Sequence, residues 1–391
     1  MTEKERKSLY LDNAATSWPK PDSVLKAMEN FHKMGGNPGR SGHSFSIDAG
    51  RKLYSARDTI ADFFNIADPL NIVFTLNATM ALNTIISGFL KDGDHVITSG
   101  LEHNSVMRPL RYLEDQGIIS ISLIPSDERG VIDIEKMPNL INDDTALIIM
   151  THASNVTGSI LPIERAALIA SDHEIPFCLD AAQSAGSLPI DVQSMNIDLL
   201  AFTGHKSLLG PQGTGGFYIK ENLIKKIKPL MLGGTGSSSE FEKQPDFMPD
   251  LFESGTPNTI GLCGLEAGIQ FINKKSIENI RNHEMELTKC FIESIKNIEE
   301  ITLYGSIKAE ERTSVVSINV EKISSSQLVE ILDNDYNIMG RPGLHCAPAA
   351  HEAIKTFPSG TARFSFGIFN SIEDVEYLTS SINKIIHENR G

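Results

Sequence analysis

Three residues of this sequence could do covalent chemistry if the fold brings them together: Lys206, Asp180 and Cys346. Lys206 lies in Phe202-Thr203-Gly204-His205-Lys206-Ser207-Leu208-Leu209-Gly210-Pro211-Gln212-Gly213-Thr214-Gly215-Gly216, between the apolar runs 197–202 and 217–219. A lysine held between two buried strands is poorly solvated; a desolvated amine has a lowered pKa and can condense with a carbonyl. The plainer reading is a charged loop residue beside a glycine-rich turn. Two nucleotide-binding readings fail. The Walker pattern needs Gly-Lys adjacent, and His205 intervenes; a dinucleotide-binding turn opens a helix, and these glycines lead into Phe217-Tyr218-Ile219.

Asp180 ends the apolar run Pro176-Phe177-Cys178-Leu179-Asp180, and Gln183 follows it closely. With Lys206 at the end of the next apolar strand, the set suits an aromatic aldehyde cofactor with a ring nitrogen and a phosphate: a lysine for the imine, an acid for the pyridinium, and an anion cradle. Pyridoxal phosphate is such a cofactor. An Asp–pyridinium pair about 4 Å apart is worth on the order of 4 kcal/mol at an effective dielectric near 20, roughly three pKa units toward the protonated ring. The plainer reading makes Asp180 a helix N-cap and Gln183 its capping-box partner. Ile72-Val73-Phe74-Thr75 followed by Leu76-Asn77-Ala78-Thr79 and a helical pattern to Phe89 points free N–H groups and the Thr79 hydroxyl at an anion, although a simple capped helix reads the same.

Cys346 sits in Gly340-Arg341-Pro342-Gly343-Leu344-His345-Cys346-Ala347-Pro348, where Arg341 and His345 are expected to favour a thiolate. Cys178, Cys263 and Cys290 fall in apolar strand or helix patterns and read as core. A metal site of His345, Cys346 and His351 lacks a second ligand pair of proper spacing.

The elements that must position these groups alternate. A strand at Leu9-Tyr10-Leu11-Asp12 is followed by helices 23–34 and 46–64, then by strands 72–75, 95–98, 119–124, 146–150 and 176–180, with a helical segment expected at 132–141. Continuously apolar strands separated by helices predict an α/β fold with a mostly parallel sheet covered on both faces, its ligands at the carboxyl ends of the strands. His103, Asn155, Asp180 and Lys206 all lie just past a strand end. Gly35 to His43 is either a surface connection or a binding loop. Residues 231–258 form a composition break, read as a mobile excursion. Helices 259–273 and 276–298 lead into mixed strands (314–320, 362–365) and helices (326–334, 372–389), a smaller α+β domain. The expected organisation is an N-terminal segment, 1–20, associated with the small domain, a large domain over 21–258, and a C-terminal small domain over 259–391.

A chain of 391 residues, 40% hydrophobic, buries a large core. Its formal net charge of −15 argues against nucleic acid or an anionic membrane as the main partner. The start, Met1 to Lys7, is charged, and no run approaches about 18 apolar residues, so neither an export signal nor a membrane span is expected. Four scattered cysteines fit a reducing cytoplasm.

Taken in order, Leu11-Asp12-Asn13-Ala14-Ala15-Thr16, Glu102-His103-Asn104, Ser154-Asn155-Val156-Thr157-Gly158, Asp180-Ala181-Ala182-Gln183, Thr203-Gly204-His205-Lys206, Gly255-Thr256-Pro257-Asn258 and Arg341 to Ala347 with Arg363-Phe364-Ser365 resemble the group II, SUF-type cysteine desulfurases and related selenocysteine lyases of the class V aminotransferase family. The resemblance spans nearly the whole chain. It implies a fold-type I pyridoxal-phosphate transferase with a seven-stranded sheet, working as a homodimer with shared active sites and mobilising sulfur as for iron–sulfur cluster assembly. Lys206 would carry the cofactor as an imine, Asp180 would hold the pyridinium, Gln183 would bond the ring hydroxyl and His103 would stack on the ring. Ala78, Thr79, Thr203 and His205 would hold the phosphate, with Thr256 from the neighbouring subunit. Asn155 would lie near the ring hydroxyl and the substrate carboxylate, Arg363 would clamp that carboxylate, and Ala14 and Arg341 would complete the substrate site.

The sequence departs from the family where a second phosphate-loop threonine is Ala78 and where Asp-Gly-Ala-Gln reads Asp180-Ala181-Ala182-Gln183. The implied reaction turns L-cysteine into L-alanine. Lys206 takes the α-proton and Cys346 attacks the substrate sulfur, keeping it as a persulfide for an acceptor the sequence does not identify. Selenocysteine lyase is the nearest rival, with L-selenocysteine as substrate; another pyridoxal-phosphate aminotransferase or lyase and a non-catalytic scaffold are the others.

Overall fold

A computed structural model describes residues 8–39, 42–238 and 240–389; the charged start and Arg40–Ser41 of the glycine-rich loop lie outside them. The chain opens with β1 (Leu9–Tyr10), α1 (Asp22–Met34) and α2 (Ser44–Phe64). Then come β2 (Ile72–Thr75), α3 (Ala78–Phe89), β3 (Asp94–Ser99), α4 (Asn104–Asp115), β4 (Ile119–Ile124), β5 (Thr145–Thr151), α5 (Ile163–Asp172), β6 (Phe177–Asp180), β7 (Leu199–Thr203) and β8 (Gly215–Ile219). These seven strands form one sheet in the order β2-β8-β7-β6-β5-β3-β4. Only β8 runs against its neighbours, pairing antiparallel with β2 and β7.

The strands read as unbroken apolar runs because both faces are buried. On β6, Phe177 and Leu179 enter a core with Ile60 and Phe64 of α2 and Ala166 and Ala170 of α5, whereas Cys178 enters the opposite core with Leu82 and Ile86 of α3 and Leu110 of α4. Each such Leu, Ile or Phe contributes about 1.5–3 kcal/mol on burial, so this sheet is a rigid platform for the loops at its carboxyl edge.

Residues 132–141 are not an α-helix but a short 3-10 turn, Ile134–Leu140, because Pro138 lies within it and has no N–H to donate. The 231–258 stretch contains no helix or strand among its described residues, yet it is tied down near its end. Both Glu253 oxygens accept from Arg57 Nη2 at 2.9 Å, and Oε1 also accepts the Phe74 N–H at 2.7 Å. Arg57 also donates to the Ile72 carbonyl.

From α6 (Thr259–Lys275) and α7 (Ile277–Ile295) the chain enters β9 (Ile301–Tyr304), β10 (Val315–Val320), α8 (Ser325–Tyr336), β11 (Ile338–Met339), β12 (Arg341–Gly343), α9 (Pro348–Ala353), β13 (Thr361–Ser365) and α10 (Ile372–Glu388). β12-β13-β10-β9 is a four-stranded antiparallel sheet. A separate core of Phe291, Val316, Leu332, Phe364 and Ile382 backs it with α7, α8 and α10. β1 joins β11 in parallel, and Asn13 Nδ2 donates to the Ser365 carbonyl at 3.0 Å, so the start of the chain is held by its last third.

Candidate active site

One cavity of about 280 Å³ lies where the carboxyl edge of the large sheet meets β12 and β13. Lys206 enters from the loop after β7, Asp180 from the end of β6, Asn155 from the loop after β5 and His103 from the loop after β3. Cys346, Arg341 and Arg363 reach it from the other side. Ala14, Ala78, Thr79, Gln183, Thr203 and His205 also line it, so every residue singled out from the sequence is present except Thr256. Thr256 is exposed and lines a second cavity, of about 470 Å³.

The Lys206 loop is held from behind by the start of the chain. The His205 carbonyl accepts from Ser17 N–H (3.0 Å), Thr16 Oγ1 (3.0 Å) and Lys20 Nζ (2.7 Å), and the Lys206 carbonyl accepts from Ser17 Oγ (2.8 Å). Gly186, at φ 96°, lets its turn press on this loop: a Cβ there would stand 2.3 Å from the Ser207 carbonyl oxygen. Removal from water lowers the Lys206 pKa to about 8, with Asp180 opposing and Arg363 and Arg341 assisting.

Asp180 is 2% exposed, and no helix follows it, which removes the N-cap reading. Its Oδ1 accepts the Ala182 N–H at 2.9 Å, while Gln183 Nε2 donates to the Ala14 carbonyl at 3.2 Å. Burial raises the Asp180 pKa, opposed by the Ala182 N–H and Lys206. His103 caps α4: its Nδ1 accepts the Ser105 N–H at 3.0 Å, which assigns the ring proton to Nε2. Desolvation and then the Lys206 charge lower its pKa to about 4, so the ring is uncharged near neutrality.

Cys346 is exposed, and Arg341 Nη2 stands 3.9 Å from its sulfur. His345 does not assist it. Its ring turns into the interior, Nε2 lies 3.1 Å from Thr361 Oγ1, and burial lowers its pKa to about 2. His345 and Cys346 both have positive φ (48° and 59°), which throws adjacent side chains to different surroundings. Cys178 and Cys263 are buried as expected, and Cys290 is half-buried at the edge of the third core.

Arg363 is 1% exposed; its Nη2 pairs with Asp12 Oδ1 at 2.7 Å and its Nη1 donates to the Asn155 carbonyl at 3.0 Å. Sequence reasoning assigned no role to Asp12 or Lys20. Asp12 carried a signal, an acid just past a strand; Lys20 carried none.

Glu102, the residue before His103, is wholly buried. Its Oε1 accepts from Ser99 Oγ (2.6 Å) and Thr151 N–H (3.0 Å), while Oε2 is buried with no partner among the described residues. Burial, with a smaller push from the Asp180 charge, raises its pKa to about 8. The folded protein therefore binds a proton here that the unfolded chain releases near 4.5, and this contribution to stability is full below 4.5 and lost as pH rises through 8. Glu102→Gln keeps the acceptor without the acid. Between pH 5 and 8 the urea midpoint of the wild type should fall relative to that of the variant, the whole effect being on the order of 4 kcal/mol. Parallel curves would show that Glu102 is ionised throughout.

The model of the family "Aminotransferase class-V" matches residues 9–378. The chain belongs to the class V aminotransferases. A probable cysteine desulfurase from Methanothermobacter thermautotrophicus is 34% identical over 97% of this chain and 95% of its own length. Among solved structures, the apo cysteine desulfurase from Thermococcus onnurineus NA1 superposes with a TM-score of 0.92 at 34% identity, covering 97% of this chain and 95% of that one. The cysteine desulfurase CsdA from Escherichia coli, in an S-sulfonic acid form, gives 0.86 at 27% identity, again covering 97% and 95%. The architecture is that of a fold-type I class V enzyme: a mixed seven-stranded sheet with a small antiparallel sheet after it.

The class V family implies pyridoxal phosphate, and the residues present fit it. Thr203 Oγ1 and His205 Nδ1 are buried beside the cavity with no partner among the described residues, and the N–H groups that open α3 at Ala78 and Thr79 have no acceptor within the helix. These suit a phosphate. At the other end, a protonated ring nitrogen would give the buried Asp180 a direct ion pair, beside the more distant Lys206 charge that already opposes its raised pKa.

Proposed function

We propose that the protein is a pyridoxal-phosphate-dependent cysteine desulfurase that converts L-cysteine to L-alanine and retains the sulfur as a persulfide on Cys346. The observation that carries this reading is the exposed Cys346 thiol in one cavity with Lys206 and Asp180. When bound, the cofactor supplies a ring that stores the electron pair released at the substrate α-carbon.

The chain's own residues then have these roles. Lys206 would anchor the cofactor and move the α-proton of the substrate; its lowered pKa places a fraction of the free amine at neutral pH. Asp180 would hold the ring nitrogen and Gln183 the ring hydroxyl, and the neutral His103 would lie against the ring. Thr79, Thr203, His205 and the backbone at Ala78 would hold the phosphate, joined by Thr256 of a neighbouring subunit in a homodimer. Arg363 would bind the substrate carboxylate with Asn155, and Ala14 and Arg341 would complete the substrate site. Cys346 as thiolate attacks the substrate sulfur, the carbon–sulfur bond breaks, the electron pair returns to carbon with a proton, and alanine leaves.

The division into an N-terminal segment (1–20), a large domain (21–258) and a small domain (259–391) draws on the separate core behind β9–β13 and on the pairing of β1 with β11, while Leu262, Leu265, Ile269 and Ile272 of α6 pack in the core of the large sheet and favour a boundary after that helix. Four unpaired cysteines fit a cytoplasmic protein, and no helix among the described residues is long and apolar enough to cross a membrane. The SUF-type assignment, and a role supplying sulfur for iron–sulfur clusters through a protein acceptor, rest on the sequence resemblance.

The test is product analysis. With L-cysteine and a thiol reductant, alanine and sulfide should form in equal amounts. Keto-acid production instead would make the chain an aminotransferase, and turnover confined to L-selenocysteine would make it a lyase.

A further inference from the structure

The loop carrying Cys346 is tied to the cofactor side of the cavity by two hydrogen bonds that no sequence motif foretold. Asn155 Nδ2 donates to the His345 carbonyl at 2.6 Å, and the backbone N–H of Asn104, the first residue of α4, donates to the Cys346 carbonyl at 2.8 Å. Both donors belong to segments whose neighbouring atoms face the cavity. His103, before Asn104, lines it and caps α4; Asn155 lines it, and the Asn155 backbone carbonyl is held by Arg363 Nη1.

The loop needs such ties. His345 and Cys346 occupy consecutive left-handed positions, which cost free energy for residues with a Cβ and persist where surrounding contacts over-determine them. Within the loop itself the support is the Ala347 N–H on the Leu344 carbonyl at 2.9 Å and the buried His345 ring against Thr361. Among the described residues, Asn155 supplies the one side-chain hydrogen bond to this loop from the opposite wall, and it does so from a buried site, 5% exposed. Its orientation is fixed by chemistry: only Nδ2 can donate to a carbonyl, so Oδ1, buried with no partner among the described residues, is left as a free acceptor.

We propose that Asn155 is the positioning residue for Cys346: one amide proton fixes the peptide beside the thiol, so that the side chain beside the substrate also sets where the sulfur acceptor stands. This rests on the desulfurase reading for its consequence in turnover but not for the tether itself. The second Nδ2 proton and Oδ1 remain for substrate or cofactor, so one side chain joins the carboxylate clamp, Arg363, to the nucleophile.

The test is hydrogen–deuterium exchange by mass spectrometry on the pyridoxal-phosphate-loaded enzyme and on the cofactor-free enzyme, comparing wild type with Asn155→Asp and Asn155→Ala. Asp keeps the shape but loses the donor. Loss of one buried hydrogen bond should speed exchange in peptides spanning 343–350 and 102–107 by about five- to tenfold in both forms, with the rest of the protein unchanged. In the loaded enzyme, persulfide formation should slow while the cofactor colour persists. Unchanged exchange in Asn155→Asp would overturn the tether, and so would a change seen only with cofactor present, which would make Asn155 a cofactor ligand alone. Faster exchange in the variants of a protein whose wild type makes no alanine would leave the tether standing and remove the desulfurase reading.

Discussion

Replacing Lys206 by alanine should abolish alanine formation and leave the purified protein without its yellow colour. The amine serves twice in the proposed reaction, as the covalent anchor and as the group that moves the α-proton. General acid–base action alone is typically worth about 10²–10⁴-fold in rate, and loss of the anchor adds to it. The geometry also sets a pH signature. With its pKa lowered to about 8 by desolvation, the Lys206 amine should capture added cofactor at a rate that rises with pH to a plateau just above 8, rather than above 10.5. Absorbance on mixing cofactor-free enzyme with pyridoxal phosphate measures this; a rate still climbing at pH 10 would show a solvated lysine.

Replacing Cys346 by alanine should divide the activity. The variant should keep its colour and bind cysteine, since Lys206, Asp180 and Arg363 are untouched. Cysteine turnover should fall on the order of 10³-fold or more, the scale on which removing a catalytic nucleophile acts. Selenocysteine turnover should suffer less, because selenium leaves carbon more readily. Among the described residues of this loop, Arg341 is the cation that stands beside the thiol, since His345 is turned into the interior. Retention of full cysteine turnover by Cys346→Ala would move sulfur transfer to another group.

Most of the large sheet could be read from the sequence because its physics is local. Runs such as Ala146 to Met150 are apolar at every position, which only a strand covered on both faces requires, and the site residues follow such runs directly. Lys206, Asp180 and Cys346 meet in one cavity as their chemistry suggested. What escaped was set by long-range packing or by backbone sign. The Asp12–Arg363 ion pair, the Lys20 bond to the His205 carbonyl and the Asn155 bond to the His345 carbonyl each join segments far apart in the chain, with no spacing rule to announce them. His345 was misread as a neighbour of the thiol because adjacency in sequence was taken as adjacency in space; two left-handed residues in succession send its ring to Thr361 instead. Pro138 likewise shortened an expected helix to a 3-10 turn.

The measurement that bears most directly on the central claim is peptide mass spectrometry of the loaded enzyme after one equivalent of L-cysteine without reductant. The peptide containing Cys346 should gain the mass of one sulfur atom, in step with alanine released, while those with Cys178, Cys263 and Cys290 stay unchanged. Alanine formed with no sulfur on Cys346, or sulfur found on another cysteine, would contradict the account.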